Sequence, residues 1–246
     1  MSTGAVALVA IGIIIASLVL YKALVWKNTS DYFYDRYIKW KVDYGRLSEY
    51  RDKNREVNRE GRSVDLVLMG ASITQMWRSE LLPQGYRIVN RGVGGQTAAM
   101  ELLRFQQDVV ELRPKAVLIK VCSLNMNYGI PNEDTLGYVK AMSAVARANG
   151  IAPILALTLP ISDRAEGRTR ESAVEETRKI REFNEDLRRF SAEKGFPVVD
   201  FFTPLVDGDG FLRPDFTRDG AHPVDEGYKE MTKALATVLI AVVGIP

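Results

Sequence analysis

Ser72 and, far along the chain from it, the pair Asp219 and His222 are side chains of the types that acyl chemistry needs. A serine hydroxyl is a weak nucleophile: it needs a base against it, and the base needs an orienting carboxylate. Ser72 follows the apolar run Leu66-Val67-Leu68-Met69, after which Gly70 and Ala71 lead into a turn. A short uncharged run that ends in small residues is how a parallel strand stops at the ligand-binding edge of an α/β sheet. His222 is the only histidine. It sits in Asp219-Gly220-Ala221-His222-Pro223, where the i, i+3 spacing lets one turn hold carboxylate and imidazole together and fix the tautomer.

An acyl oxyanion also needs preorganised donors. The turn Asn90-Arg91-Gly92-Val93-Gly94-Gly95-Gln96-Thr97 follows a second apolar run and opens a helix, so its glycines let backbone N–H groups approach a ligand. It is no dinucleotide fingerprint, because Thr97 stands where a third Gly is required, and no P-loop, because no Lys follows the glycines. An ordinary tight turn is the competing reading. A third run ends in Val121-Cys122-Ser123-Leu124-Asn125-Met126-Asn127, where a side-chain amide would serve as a donor, although Asn125 and Asn127 equally suit a turn cap. Cys122, the only cysteine, lies on an apolar strand end and reads as a buried inert thiol.

The elements that must position these residues alternate after Gly61. Strands are expected at Leu66–Met69, Arg87–Val89, Ala116–Val121, Ala152–Leu157 and Pro197–Asp200, and helices at Ile73–Leu81, Thr97–Leu112, Asp134–Asn149, Glu171–Lys194 and Glu226–Val243. Five such units predict a parallel sheet with helices on both faces. Within Glu171–Lys194, Ile180, Phe183, Leu187 and Phe190 form one apolar face and the charges of both signs a solvated one. The tail from Ala234 to Ile245 is too short to span a membrane and reads as part of the last core helix.

The chain has 246 residues, 46% of them hydrophobic, enough for one catalytic-size domain and an appendage. Its 33 basic and 31 acidic residues are mixed along the sequence, which argues against a nucleic-acid partner. One cysteine and one histidine argue against a zinc site and exclude an internal disulfide. No metal and no cofactor is expected.

Residues 1–21 carry no charged side chain, and the run from Ala5 to Tyr21, extended to Trp26 if Lys22 snorkels, reads as a single-pass membrane anchor. A cleaved signal peptide is the rival, but no basic residue precedes the run and no small-x-small site follows it. Lys22, Lys27, Arg36, Lys39 and Lys41 all follow the span, which by the positive-inside rule keeps the next domain cytoplasmic. From Asp31 to about Asn58 a helix is expected, with Phe33, Tyr37, Trp40, Tyr44 and Leu47 as one apolar stripe packed on the main domain or at the membrane interface. The expected division is therefore an anchor at 1–27, a juxtamembrane amphipathic helix at 28–61 and a catalytic domain at 62–246.

Together these pieces resemble the SGNH, or GDSL, hydrolase superfamily, in which a nucleophilic Ser, an oxyanion Gly, an oxyanion Asn and an Asp-x-x-His lie in separate blocks. Ser72 matches the first block, Gly95 the second, and Asp219 and His222 the last, with Gly227 and Tyr228 following. Within it the chain resembles bacterial acylhydrolases similar to the platelet-activating-factor acetylhydrolase group, which share the N-R-G-x-G-G-x-T turn. Two positions depart from the pattern: Ala71 stands in the middle of Gly-Asp-Ser, and Leu124 stands where the third-block Asn belongs, with Asn125 one residue late. The G-x-S-x-G elbow is absent, since Thr74 occupies its last place.

The resemblance implies a flavodoxin-like three-layer α/β/α sandwich with a five-stranded parallel sheet, here preceded by an N-terminal transmembrane helix. It implies a serine esterase that cleaves a small acyl, foremost acetyl, ester of a carbohydrate or lipid. Ser72, His222 and Asp219 would be its triad, and the N–H of Ser72, the N–H of Gly95 and the amide of Asn125 its oxyanion hole. An acyltransferase on a glycan and a non-catalytic binding domain that kept the fold are the alternatives. Many anchored relatives act outside the cytoplasm, and on that ground the catalytic domain is expected to be extracytoplasmic, against the basic residues after the span.

Overall fold

The computed structural model describes residues 3–164 and 167–246, although nothing is said of the side chains at 3, 5–11, 36 and 39. The chain divides into two units, Met1–Tyr44 and Gly45–Pro246. The first is a single helix, α1 (Thr3–Val42). Most of its described apolar side chains are exposed, Trp26 and Phe33 among them, and Tyr37, Trp40 and, just past its end, Tyr44 form a ladder of ring contacts.

Among the described residues no helix is long and apolar enough to cross a membrane. The expected transmembrane helix therefore finds no support among the described residues. Only ten uncharged residues, Gly12–Tyr21, are described in full before Lys22, against the roughly 20 that a span requires, and the expected portion at 5–11 lies outside the described side chains.

The expected helix from Asp31 to Asn58 is also interrupted. It stops at Val42, Arg46 adopts a left-handed conformation with φ of 52°, and α2 (Arg51–Arg59) starts afresh. The cause is polar: Tyr50 and Asn54 turn into the second unit, where both are buried. Leu47 consequently leaves the aromatic stripe and belongs to the second unit, as does the whole of 45–61.

The second unit is a sheet of five parallel strands, β1 (Leu66–Gly70), β2 (Ile88–Gly92), β3 (Ala116–Lys120), β4 (Ala152–Ala156) and β5 (Val198–Val199), in the order β2-β1-β3-β4-β5. Alternate residues of β1 and β3 feed two cores. Val67, Met69, Val117 and Ile119 pack with Phe105, Met142, Phe183 and Leu187 of three helices: α4 (Ala98–Asp108), α6 (Asn132–Ala148) and α7 (Arg170–Lys194). Leu66, Leu68 and Leu118 pack on the other face with Trp77 and with Tyr228, Met231 and Leu235 of α8 (Asp225–Val243). Each fully buried Leu or Phe contributes about 1.5–3 kcal/mol, so both helical layers are held chiefly by area. The result is the expected three-layer sandwich, with its topological switch between β1 and β3.

Two short helices complete the upper edge: α3 (Ser72–Gln75) after β1 and α5 (Leu124–Asn127) after β3. The helix expected at Ile73–Leu81 is thus cut to one turn. Asn90 stops it by donating its side-chain amide to the carbonyls of Thr74, at 2.6 Å, and Trp77, at 3.2 Å.

Candidate active site

Ser72 is the first residue of α3, immediately beyond the carboxyl end of β1. The end of β2 fixes that turn from the side, since a Cβ on Gly92 would lie 2.1 Å from the backbone nitrogen of Gln75. Only glycine allows so close an approach. From below, the hydroxyl of Tyr228 in α8 donates to the carbonyl of Ile73 at 2.8 Å.

The loop before α8 builds the partner groups. Oδ1 of Asp219 accepts the backbone N–H groups of Ala221 at 2.9 Å and His222 at 2.8 Å, and the Thr217 hydroxyl donates to the carbonyl of His222 at 2.9 Å. Oδ2 of Asp219 lies 2.7 Å from Nδ1 of His222, and Nε2 of His222 lies 2.9 Å from the Ser72 hydroxyl. Partial burial raises the Asp219 carboxyl, but the two backbone N–H groups and the imidazole outweigh it and hold the group well below the usual carboxylate range. An ionised carboxylate only accepts, so Nδ1 carries the ring proton and Nε2 presents its lone pair to the serine hydroxyl. Chemically this line can take a proton from Ser72 while balancing the charge that forms on the ring.

Gly94 and Gly95 follow β2 beside Ser72. The N–H of Gly94 is used, donating to the side-chain oxygen of Gln75 at 2.9 Å. Gly95 is exposed and adopts φ of +78°, which turns the peptide in a way that a side chain would oppose. The N–H of Ser72 lies in the first turn of α3, where helical donors have no partner within the helix.

Asn125 does not join them. Its side chain is fully buried: Oδ1 accepts the N–H of Ala98 at 3.1 Å and Nδ2 donates to the carbonyl of Cys122 at 3.1 Å. Through these two bonds the side chain ties the start of α4 to the turn that opens α5. Asn127 is exposed at the end of α5. Cys122 is buried, and burial pushes its thiol up to about 11, which leaves it an inert side chain. Among the described residues no cluster of three His, Cys, Asp or Glu could hold a metal ion.

Beneath the turn lies a polar layer that sequence reasoning missed. Arg104, fully buried, donates to the Gln96 side chain at 2.6 Å, to the carbonyls of Arg91 at 2.7 Å and Gly70 at 3.1 Å, and to Asp108 at 2.9 Å. Its signal was present in the spacing: Thr97, Glu101, Arg104 and Asp108 recur every four, three and four residues, a polar stripe on the buried face of α4. Tyr50 and Asn54, which close this layer from the other side, carry no comparable sequence signal.

A parallel α/β sandwich that brings a hydroxyl, an imidazole and a carboxylate into line at its switch point defines a hydrolase-type enzyme. The chain belongs to the GDSL-like lipase/acylhydrolase family, whose model matches residues 46–230. It is a carboxylic ester hydrolase. Among solved structures, an acylhydrolase-type protein of Bacteroides fragilis is 29% identical with a TM-score of 0.73, over 81% of this chain and 98% of that one. A GDSL-like lipase of Bacteroides thetaiotaomicron is 27% identical with a TM-score of 0.71, over 80% and 98%. A lipolytic protein of the G-D-S-L family from Desulfitobacterium hafniense is 31% identical with a TM-score of 0.60, over 72% and 99%. No curated protein matches the chain.

Proposed function

We propose that this ester hydrolase works through Ser72 as nucleophile, His222 as base and Asp219 as the group that orients it. The observation that carries the reading is the unbroken line from Asp219 Oδ2 through the imidazole to the Ser72 hydroxyl, with contacts of 2.7 and 2.9 Å. In the first half-reaction the hydroxyl oxygen bonds to the acyl carbon as its proton passes to Nε2. The tetrahedral oxyanion is met by the N–H groups of Ser72 and Gly95. The carbon–oxygen bond to the alcohol then breaks, and the alcohol leaves with the proton from Nε2. Water, deprotonated by the same nitrogen, releases the acid and restores the serine. An acceptor hydroxyl in place of water would give acyl transfer.

The substrate class follows from the family likeness: a small acyl ester, acetyl foremost, of a carbohydrate or lipid. Ser72→Ala should abolish both ester hydrolysis and labelling by a fluorophosphonate probe. Persistent labelling of that variant would remove Ser72 from the mechanism.

Localisation rests on the sequence. The uncharged run of residues 1–21 supports attachment to a membrane, with the catalytic unit outside the cytoplasm. The full chain should sediment with membranes and the unit from Gly45 onward should be cut by protease added to intact spheroplasts; full protection there would reverse the orientation.

A further inference from the structure

The stretch 45–54 reaches the glycine turn of the site at three successive points. The carbonyl of Gly45 accepts Nε2 of Gln96 at 3.0 Å, the Arg46 guanidinium donates to the carbonyl of Gly94 at 3.4 Å, and the Tyr50 hydroxyl donates to the carbonyl of Gly92 at 2.5 Å. Gly95 therefore lies between two residues, Gly94 and Gln96, that are both tied to this stretch. Gln96 is clamped on its other side as well, where its oxygen accepts from Arg104. The clamp extends downward: Asn54 accepts from Nε of Arg91 at 2.7 Å and donates to Asp108 at 2.7 Å, while the Arg91 guanidinium stacks 4.7 Å above the Tyr50 ring.

Apart from the exposed Arg46 contact, these contacts are buried. Gln96 and Arg104 have no exposed surface, and Tyr50 has 8%. Breaking any one of these buried bonds would leave a polar group unpaired at a cost of about 1–3 kcal/mol, so each bond made holds the layer together. Such a network fixes backbone position more tightly than apolar packing does, because hydrogen bonds are directional. An oxyanion donor gains its effect from being fixed in advance.

We propose that residues 45–54 form a strap that sets the position of the Gly95 N–H in the oxyanion hole, with Tyr50, Arg46 and Gln96 as positioning residues for hydrolysis. The inference rests on the reading above in which that N–H receives the oxyanion. The strap touches neither Ser72 nor the acyl group; it acts through the carbonyls and the side chain that flank Gly95.

The test uses the full chain and a soluble acetate ester, with a trifluoromethyl ketone as probe, since the hemiketal it forms with serine bears an oxyanion. Tyr50→Phe removes one hydroxyl and keeps the ring under Arg91, Arg46→Ala truncates an exposed side chain, and Gln96→Met removes both clamp bonds at similar volume. Displacing an oxyanion donor without deleting it should lower kcat several-fold in the first two and about tenfold or more in the third, with KM within about twofold. The inhibition constant of the ketone should rise by the same factor as kcat falls. A merely structural role would lower the melting temperature and leave both quantities unchanged per folded molecule. Wild-type kcat in Tyr50→Phe and Arg46→Ala, or a fall in kcat with no change in ketone affinity, would overturn the strap, whether or not Gln96→Met folds. Activity surviving in Ser72→Ala would instead remove the oxyanion reading beneath it.

Discussion

Asp219 and Glu101 are two carboxyl groups with opposite environments. Asp219 is half in solvent and surrounded by donors, so it stays ionised and keeps His222 in the useful tautomer. Glu101, on the buried face of α4, has no hydrogen-bond partner on either oxygen, and burial pushes it up to about 8 against the pull of Arg104 and Lys120. Lys120, equally buried and unpartnered, is pushed the other way. A carboxyl whose folded pKa is raised favours the fold below its unfolded value of about 4.5 and loses that contribution as pH rises towards 8. Glu101→Gln keeps the shape and removes the titration. Its stability relative to wild type, read from urea melts, should therefore improve steadily between about pH 5 and pH 8. A difference that stays flat across that window would mean that Glu101 is ionised in the folded chain.

The strand-to-helix turns depend on how closely backbones approach, and β2 against α3 is the tightest case. Gly92→Ala would drive a methyl group to 2.1 Å from the Gln75 nitrogen, so α3 must move, and Ser72 with it. The expected outcome is a loss of several kcal/mol of stability and of nearly all activity, because a shift of an ångström at the nucleophile is worth about 100-fold in rate. Thermal melts and ester turnover would check both, and a stable, active variant would show that α3 can slide. The same reasoning explains why the helix expected over Ile73–Leu81 stops early. Its carbonyls at Thr74 and Trp77 are taken by the side chain of Asn90, which lies on the neighbouring strand and could not be paired with them from local pattern.

The molecule is divided at Tyr44, and that division makes a prediction about truncation. A chain starting at Gly45 keeps both cores and the polar layer, so it should fold with close to the melting temperature of the full chain. A chain starting at Ser63 loses Tyr50 and Asn54, which leaves Arg91 and Asp108 short of partners. It should be less stable by a few kcal/mol, about 1–3 kcal/mol for each buried group left unpaired. Equal stability of the two truncations, by denaturant melts, would place 45–62 outside the catalytic unit.

What the sequence determined by itself is what short-range rules encode. The strand cores followed from apolar runs, the parallel sheet from the alternation of elements, and the pairing of Asp219 with His222 from a three-residue spacing that one turn closes. Family likeness marked Ser72 and Gly95 in the same way. Tertiary structure alone decided the rest. It brought His222 to a hydroxyl 150 residues away, turned Asn125 inward onto Ala98 and Cys122, and drew 45–54 off the N-terminal helix to grip the glycine turn. The physical reason is that local pattern fixes which face of an element is apolar, whereas a buried polar side chain chooses among partners from several elements, and that choice exists only once the layers have packed.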